Sequence, residues 1–106
     1  MSLVAGLDIG STATKCVLWD GHVVKVVLLS STPDMRAAAQ QALREVGGEG
    51  VPVLTTGYGR ALHEPRLAQV SEITALAAGV GLVAPEARTV VDIGGQDSKV
   101  VRVLGQ

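Results

Sequence analysis

Over its first thirty positions the chain carries three bursts of apolar residues, Leu3 to Ile9, Thr14 to Asp20 and His22 to Leu29, each rich in Val, Leu or Ile. Such residues favour extended backbone, and Asp20-Gly21 between the second and third bursts is a two-residue hairpin signal. The pattern predicts three antiparallel strands in succession. Ser30-Ser31-Thr32-Pro33-Asp34 then carries helix-start chemistry, with Pro33 near the first helical position. Ala37, Ala38, Gln41, Ala42 and Glu45 follow at helical spacing, Met35, Leu43 and Val46 supply the larger apolar contacts, and Gly47-Gly48 stops the helix.

Val51 to Thr55 predicts a short buried strand, and Gly57-Tyr58-Gly59-Arg60 a turn with an exposed arginine. Pro65 separates a weak helical turn from a further short strand, Arg66 to Val70. Ser71 to Val83 reads as a helix of small residues suited to close packing. After Pro85, Thr89 to Ile93 and Lys99 to Leu104 form a last hairpin, so the predicted order is βββ, α, β, β, α, ββ.

Two of the predicted hairpin tips carry the same chemistry. Asp8-Ile9-Gly10-Ser11-Thr12-Ala13-Thr14-Lys15 and Asp92-Ile93-Gly94-Gly95-Gln96-Asp97-Ser98-Lys99 each join two apolar runs. A Gly-rich tip lets backbone N–H groups approach phosphate oxygens with no Cβ in the way. Hydroxyls add donors, and the leading Asp can hold Mg²⁺ through water. One such tip reads equally well as a tight turn. Two tips, each with Asp two residues before Gly and Lys seven residues after Asp, point to a pair of loops that clamp a nucleotide's phosphates from both sides. Neither the Walker loop nor the dinucleotide fingerprint is present.

The candidate site follows from these tips. Asp8 and Asp92 end apolar strands, where a carboxylate is costly without a partner, and are the candidates for metal binding and catalysis. Gly10, Ser11, Thr12, Gly94, Gly95 and Gln96 are cradle candidates. Lys15 reads either as a phosphate contact or as a solvent-facing residue. Glu72 opens the second helix, where complementarity to the helix dipole already accounts for an acid. Cys16 reads as a small buried hydrophobe, and His22 and His63 as surface residues.

Composition narrows the field. The chain has 106 residues, 47% hydrophobic and 18% charged, with a net charge of -1 and no basic run. These values describe one globular domain's worth of chain and argue against nucleic acid or an anionic membrane as partner. Aromatic residues make up 2%, so the core is aliphatic and stacking platforms for bases are not expected. No cleavable leader or membrane span is evident, which makes a cytoplasmic location the simplest expectation. A single Cys excludes an intrachain disulfide.

The order and spacing of the two tips resemble the phosphate-1 and phosphate-2 loops of the superfamily of actin, sugar and acetate kinases and heat-shock chaperones. Within it, Asp8 to Cys16 (DIGSTATKC), Thr55 to Arg60 (TTGYGR), Ser71-Glu72 with its Ala-rich helix, and Val91 to Val100 (VDIGGQDSKV) look like the activator ATPases of 2-hydroxyacyl-CoA dehydratases and benzoyl-CoA reductases, the BadF/BadG/BcrA/BcrD type. This resemblance covers nearly the whole chain. It implies an α/β, ribonuclease-H-like (actin-like ATPase) half domain with a mixed sheet over residues 1–86, followed over 87–106 by the opening hairpin of the second half.

The resemblance also implies a function: ATP hydrolysis that drives one-electron transfer from a [4Fe-4S] cluster to a dehydratase or reductase component. ATP and Mg²⁺ would be the cofactors, Asp8 and Asp92 would organise Mg²⁺ and water around the γ-phosphate, and Glu72 would lie near the attacking water. In the family the cluster sits between two subunits, which implies a homo-oligomer, on cysteines downstream of the second phosphate loop; those residues are absent from this chain. An N-terminal portion of such a protein is expected to hydrolyse ATP poorly alone. The alternatives are a small-molecule kinase of the same superfamily and a non-catalytic half domain acting by association. Two further expectations are that both tips lie on one side of a single mixed sheet or at its edge, sharing a hydrated metal, and that Val100, Val101, Val103 and Leu104 form an apolar run exposed at an edge.

Overall fold

The computed structural model describes residues 2–31, 33–94 and 98–103. The chain divides into two compact units, Met1–Val70 and Ser71–Gln106.

In the first unit, strands β1 (Val4–Ile9), β2 (Ala13–Trp19), β3 (Val23–Ser30), β4 (Val53–Thr56) and β5 (Ala68–Gln69) form a five-stranded sheet in the order β3-β2-β1-β4-β5. β1, β2 and β3 meander antiparallel, as a hairpin-connected run must, whereas β4 runs parallel to β1 and β5 parallel to β4. The parallel step needs a crossover, and helix α1 (Met35–Val46) supplies it.

Period-two alternation puts Ala5, Leu7 and Ile9 of β1, Cys16 and Leu18 of β2, and Val53 of β4 on one face. There they pack against Ala39, Ala42, Leu43 and Val46 of α1 to form the core. Leu7 and Ile9 are fully buried, each contributing about 1.5–3 kcal/mol. The small Ala positions of α1 let the helix lie close to the sheet. Gly6, Asp8, Lys15 and Thr56 occupy the alternate positions and are all more exposed than their core-facing neighbours.

Asp34 caps α1, accepting from the N–H groups of Arg36 at 2.9 Å and Ala37 at 3.2 Å, so Pro33 precedes the cap and lies outside the helix. Gly47 ends the helix in the left-handed region, with φ 81°. The strand predicted over Arg66 to Val70 shortens to two residues. Its neighbours keep the parallel contact through Leu67 N–H to Val53 O at 2.7 Å and Val70 N–H to Thr55 O at 2.9 Å.

In the second unit, Ser71 caps helix α2 (Glu72–Val83) by accepting from the Thr74 N–H at 3.1 Å. None of the helix's residues is buried, so the close packing expected of its small residues is not met among the described residues. Strands β6 (Thr89–Ile93) and β7 (Ser98–Arg102) pair antiparallel as a sheet of their own. The expectation that both tips belong to one sheet therefore fails. No other described strand hydrogen-bonds to either edge of this hairpin. Val101 and Val103 are buried, while Val91, Ile93 and Val100 are exposed, which corrects the reading of Val101 and Val103 as an exposed edge. Leu104 lies outside the described residues.

Candidate functional site: the two hairpin tips

The first tip is held from three sides. Pairing along β1 and β2 places Asp8 opposite Lys15, and Lys15 Nζ reaches Asp8 Oδ2 at 3.2 Å. The Gly10 N–H donates to Ala13 O at 3.1 Å, closing the turn. A Cβ on Gly10 would stand 2.6 Å from that same oxygen, so only glycine allows this turn. The Ser31 N–H donates to Thr12 O at 2.9 Å, and the buried Thr14 and Ser31 hydroxyls bond at 2.6 Å, tying the tip to the end of β3. Ser11 is half-buried and Thr12 exposed, which leaves their hydroxyls at the rim.

The third support is the segment Thr55 to Arg60. Parallel pairing sets Thr56 beside Asp8. Gly57 follows with φ 93°, and a Cβ there would come within 2.5 Å of Asp8 Oδ1 and 2.6 Å of Ile9 O. The turn thus lies against the carboxylate and is possible only because Gly57 has no side chain. The Gly59 N–H donates to Ile9 O at 2.8 Å, Thr55 Oγ1 to Arg60 O at 2.7 Å, and Arg60 Nη1 to Gly57 O at 3.0 Å. Arg60 is therefore not the free surface residue expected from the sequence. Its guanidinium staples the turn that backs Asp8. This support was invisible in the sequence because it depends on the long-range register between β1 and β4.

The second tip repeats the first in register. Asp92 stands opposite Lys99, with Nζ to Oδ2 at 3.2 Å, as at Asp8 and Lys15. Gly94 is exposed at the tip, while Gly95 and Gln96 lie outside the described residues. Glu72 is exposed at the first position of α2, in the same unit as Asp92, and Asp8, Gly10, Ser11, Thr12 and Lys15 belong to the first unit. Ile9 is fully buried and Ile93 is 78% exposed, so matching tips sit in different packing environments.

The donor set fits some groups and not others. No cluster of three or more His, Cys, Asp or Glu suited to a metal occurs among the described residues. A cation held by one carboxylate, water and phosphate oxygens fits the half-exposed Asp8 at the end of β1. A [4Fe-4S] cluster does not fit, since it needs several thiolates. Cys16 is fully buried within β2, and burial pushes its thiol up to about 11. His63 is also buried, against expectation. Burial first, and then the Arg66 charge, hold its pKa below the ordinary value. No described helix is long and apolar enough to cross a membrane.

Known proteins share this fold. The chain is 38% identical to the 2-hydroxyisocaproyl-CoA dehydratase activator of Clostridioides difficile over 106 residues, 92% of this chain and 40% of that protein. Its fold matches the crystal structure of the Acidaminococcus fermentans (R)-2-hydroxyglutaryl-CoA dehydratase component A with a TM-score of 0.83 at 33% identity, over 98% of this chain and 44% of that one. It also matches the Clostridium difficile 2-hydroxyisocaproyl-CoA dehydratase activator with bound ADPNP, TM-score 0.79 at 35% identity, over 95% and 41% of the two chains. The architecture is thus the mixed α/β one of the actin-like ATPase activators, and the chain spans about two fifths of the length of the curated relatives it matches. The profile of the BadF/BadG/BcrA/BcrD ATPase family matches residues 5–106, and the chain belongs to that family.

Proposed function

We propose that the chain is the part of an ATP-dependent activator of an acyl-CoA dehydratase or reductase that grips the nucleotide's phosphates. The observation that carries this reading is the repeated tip: two hairpins in one chain of an ATPase family, each pairing Asp with Lys at 3.2 Å in the same register. Residues 1–86 form the first ATPase subdomain and 87–106 open the second. Asp8 and Asp92 each help to hold hydrated Mg²⁺, Gly10, Ser11, Thr12, Gly94, Gly95 and Gln96 cradle phosphate oxygens, and Lys15 meets the phosphate charge. Glu72 orients the water that attacks the γ-phosphate. Preorganised donors aimed at developing phosphate charge are the usual basis of phosphoryl-transfer catalysis.

In the whole protein, hydrolysis drives one-electron delivery from an iron–sulfur cluster to the dehydratase or reductase component, in the cytoplasm and as a homo-oligomer. The residues present here do not supply the cluster's ligands. With only the phosphate grip in place, MgATP binds this chain on the order of millimolar, about -4 kcal/mol. Amide NMR titration with MgATP should shift Gly10, Ser11 and Thr12, and Asp8→Asn should weaken the Mg²⁺-dependent part of the binding. Submicromolar binding by the monomer, or no shift at either tip, would overturn the reading.

A further inference from the structure

Arg60 is half-buried, and its guanidinium donates from Nη1 to Gly57 O at 3.0 Å. The same carbonyl already accepts the Arg60 backbone N–H at 3.2 Å, which closes the turn without any side chain. Two further bonds hold the turn independently of the guanidinium: Gly59 N–H to Ile9 O at 2.8 Å and Thr55 Oγ1 to Arg60 O at 2.7 Å. Partly burying a guanidinium is unfavourable, and a carbonyl that already has one donor does not need a second to be satisfied. What the second donor adds is orientation. A carbonyl oxygen has two lone pairs, and with both engaged the plane of the peptide between Gly57 and Tyr58 is fixed. Gly57 is also the residue whose backbone lies against Asp8. A Cβ there would stand 2.5 Å from Asp8 Oδ1, while Asp8 Oδ2 meets Lys15 Nζ at 3.2 Å, so the carboxylate is held between the lysine and the Gly57 backbone.

We propose that Arg60 is a positioning residue for metal–nucleotide binding: its guanidinium locks the Gly57 peptide, and the locked backbone sets the rotation at which the Asp8 carboxylate meets the cation. This deepens the phosphate-grip reading and rests on it. Arg60 acts through Gly57, without contact to the ligand. A carboxylate that serves a hydrated cation must present its oxygens in one orientation, and a site left loose by about 1 Å loses much of its function. Arginine suits the task because its planar fork carries its donors in a fixed geometry.

The test compares MgATP with metal-free ATP, because positioning of Asp8 affects the first and a direct charge contact affects both. Arg60→Met keeps an unbranched apolar stem and removes the donors and the charge. Its affinity for MgATP should fall roughly tenfold, the low end of the effect of a charge-assisted hydrogen bond, while binding of metal-free ATP should change little. Arg60→Lys, which keeps a donor on a stem of similar reach, should recover part of the MgATP affinity. Both variants should melt within about 5 °C of wild type, since the other bonds of the turn remain. A larger fall in melting temperature would show that the guanidinium serves the fold and would overturn the proposal. A loss at least as large for metal-free ATP, the more highly charged ligand, would overturn it by showing that Arg60 attracts phosphate directly. Unchanged MgATP affinity in Arg60→Met, with Mg²⁺-dependent binding present in wild type, would overturn it while leaving the phosphate grip intact. Absence of Mg²⁺-dependent binding in wild type would overturn both.

Discussion

His63 shows how a single buried group contributes to the pH response of the fold. Burial and the nearby Arg66 charge lower its pKa from the ordinary 6.5, so the native chain keeps the imidazole neutral while the unfolded chain takes up a proton at 6.5. Above that pH both states are neutral and the contribution to stability is full. As pH falls through 6.5 toward the native value, the unfolded state binds more protons and stability declines. Urea midpoints measured at pH 7.5 and pH 5.5 should therefore drop on acidification, and His63→Gln should shrink the drop; an equal drop in the variant would place its origin elsewhere. Nothing local signals this burial, because a histidine before Glu64-Pro65 sits in what reads as a surface turn. Only the packing of the segment between β4 and β5 encloses it.

Among the elements, the hairpins were legible and their support was not. Alternation of Ala5, Leu7 and Ile9 with Val4, Gly6 and Asp8 specifies both the strand and its buried face from local sequence alone. The start and stop of α1 are equally local, written in Asp34 and Gly47. The strand after α1 was expected over Val51 to Thr55, with a turn at Gly57-Tyr58-Gly59-Arg60. Pairing with β1 extends it to Thr56 and brings the turn against Asp8. That register is a property of the folded sheet, and no short window of sequence contains it. Gly57→Ala tests how tightly the two elements are joined. A φ of 93° is unfavourable for any residue with a Cβ, and the new methyl would meet Asp8 Oδ1 and Ile9 O. The expected cost is about 2–4 kcal/mol in urea unfolding, with the first-tip amide resonances shifted. A cost under about 0.5 kcal/mol, the range of an ordinary surface change, would show that the turn moves aside freely.

For the whole molecule, the exposed apolar positions bear on association. Val91, Ile93 and Val100 of the β6–β7 hairpin are 63%, 78% and 71% exposed, and the described hairpin has no third strand on either edge. Unpaired edges beside apolar side chains are templates for strand addition by another copy. Light scattering across a concentration series should show mass rising above 10.9 kDa, and Val100→Lys should restore the monomer. Substitution at Val101 or Val103 tests the hairpin's own stability, because both are buried. A constant monomer mass for wild type would remove association from the picture.

The exposed ion pair of Asp8 and Lys15 also bears on the order in which ligands arrive. A pair so open to solvent is worth about 0–1 kcal/mol, so breaking it costs little, but a lone cation at Asp8 leaves the lysine without a counter-charge, and a lone phosphate at Lys15 does the same to the carboxylate. When both arrive, each side chain exchanges one opposite charge for another. Under the proposed function, metal and nucleotide are then thermodynamically coupled through one salt bridge. Each raises the affinity for the other by the same factor, and the chain takes up the metal–nucleotide complex as a unit in preference to either component.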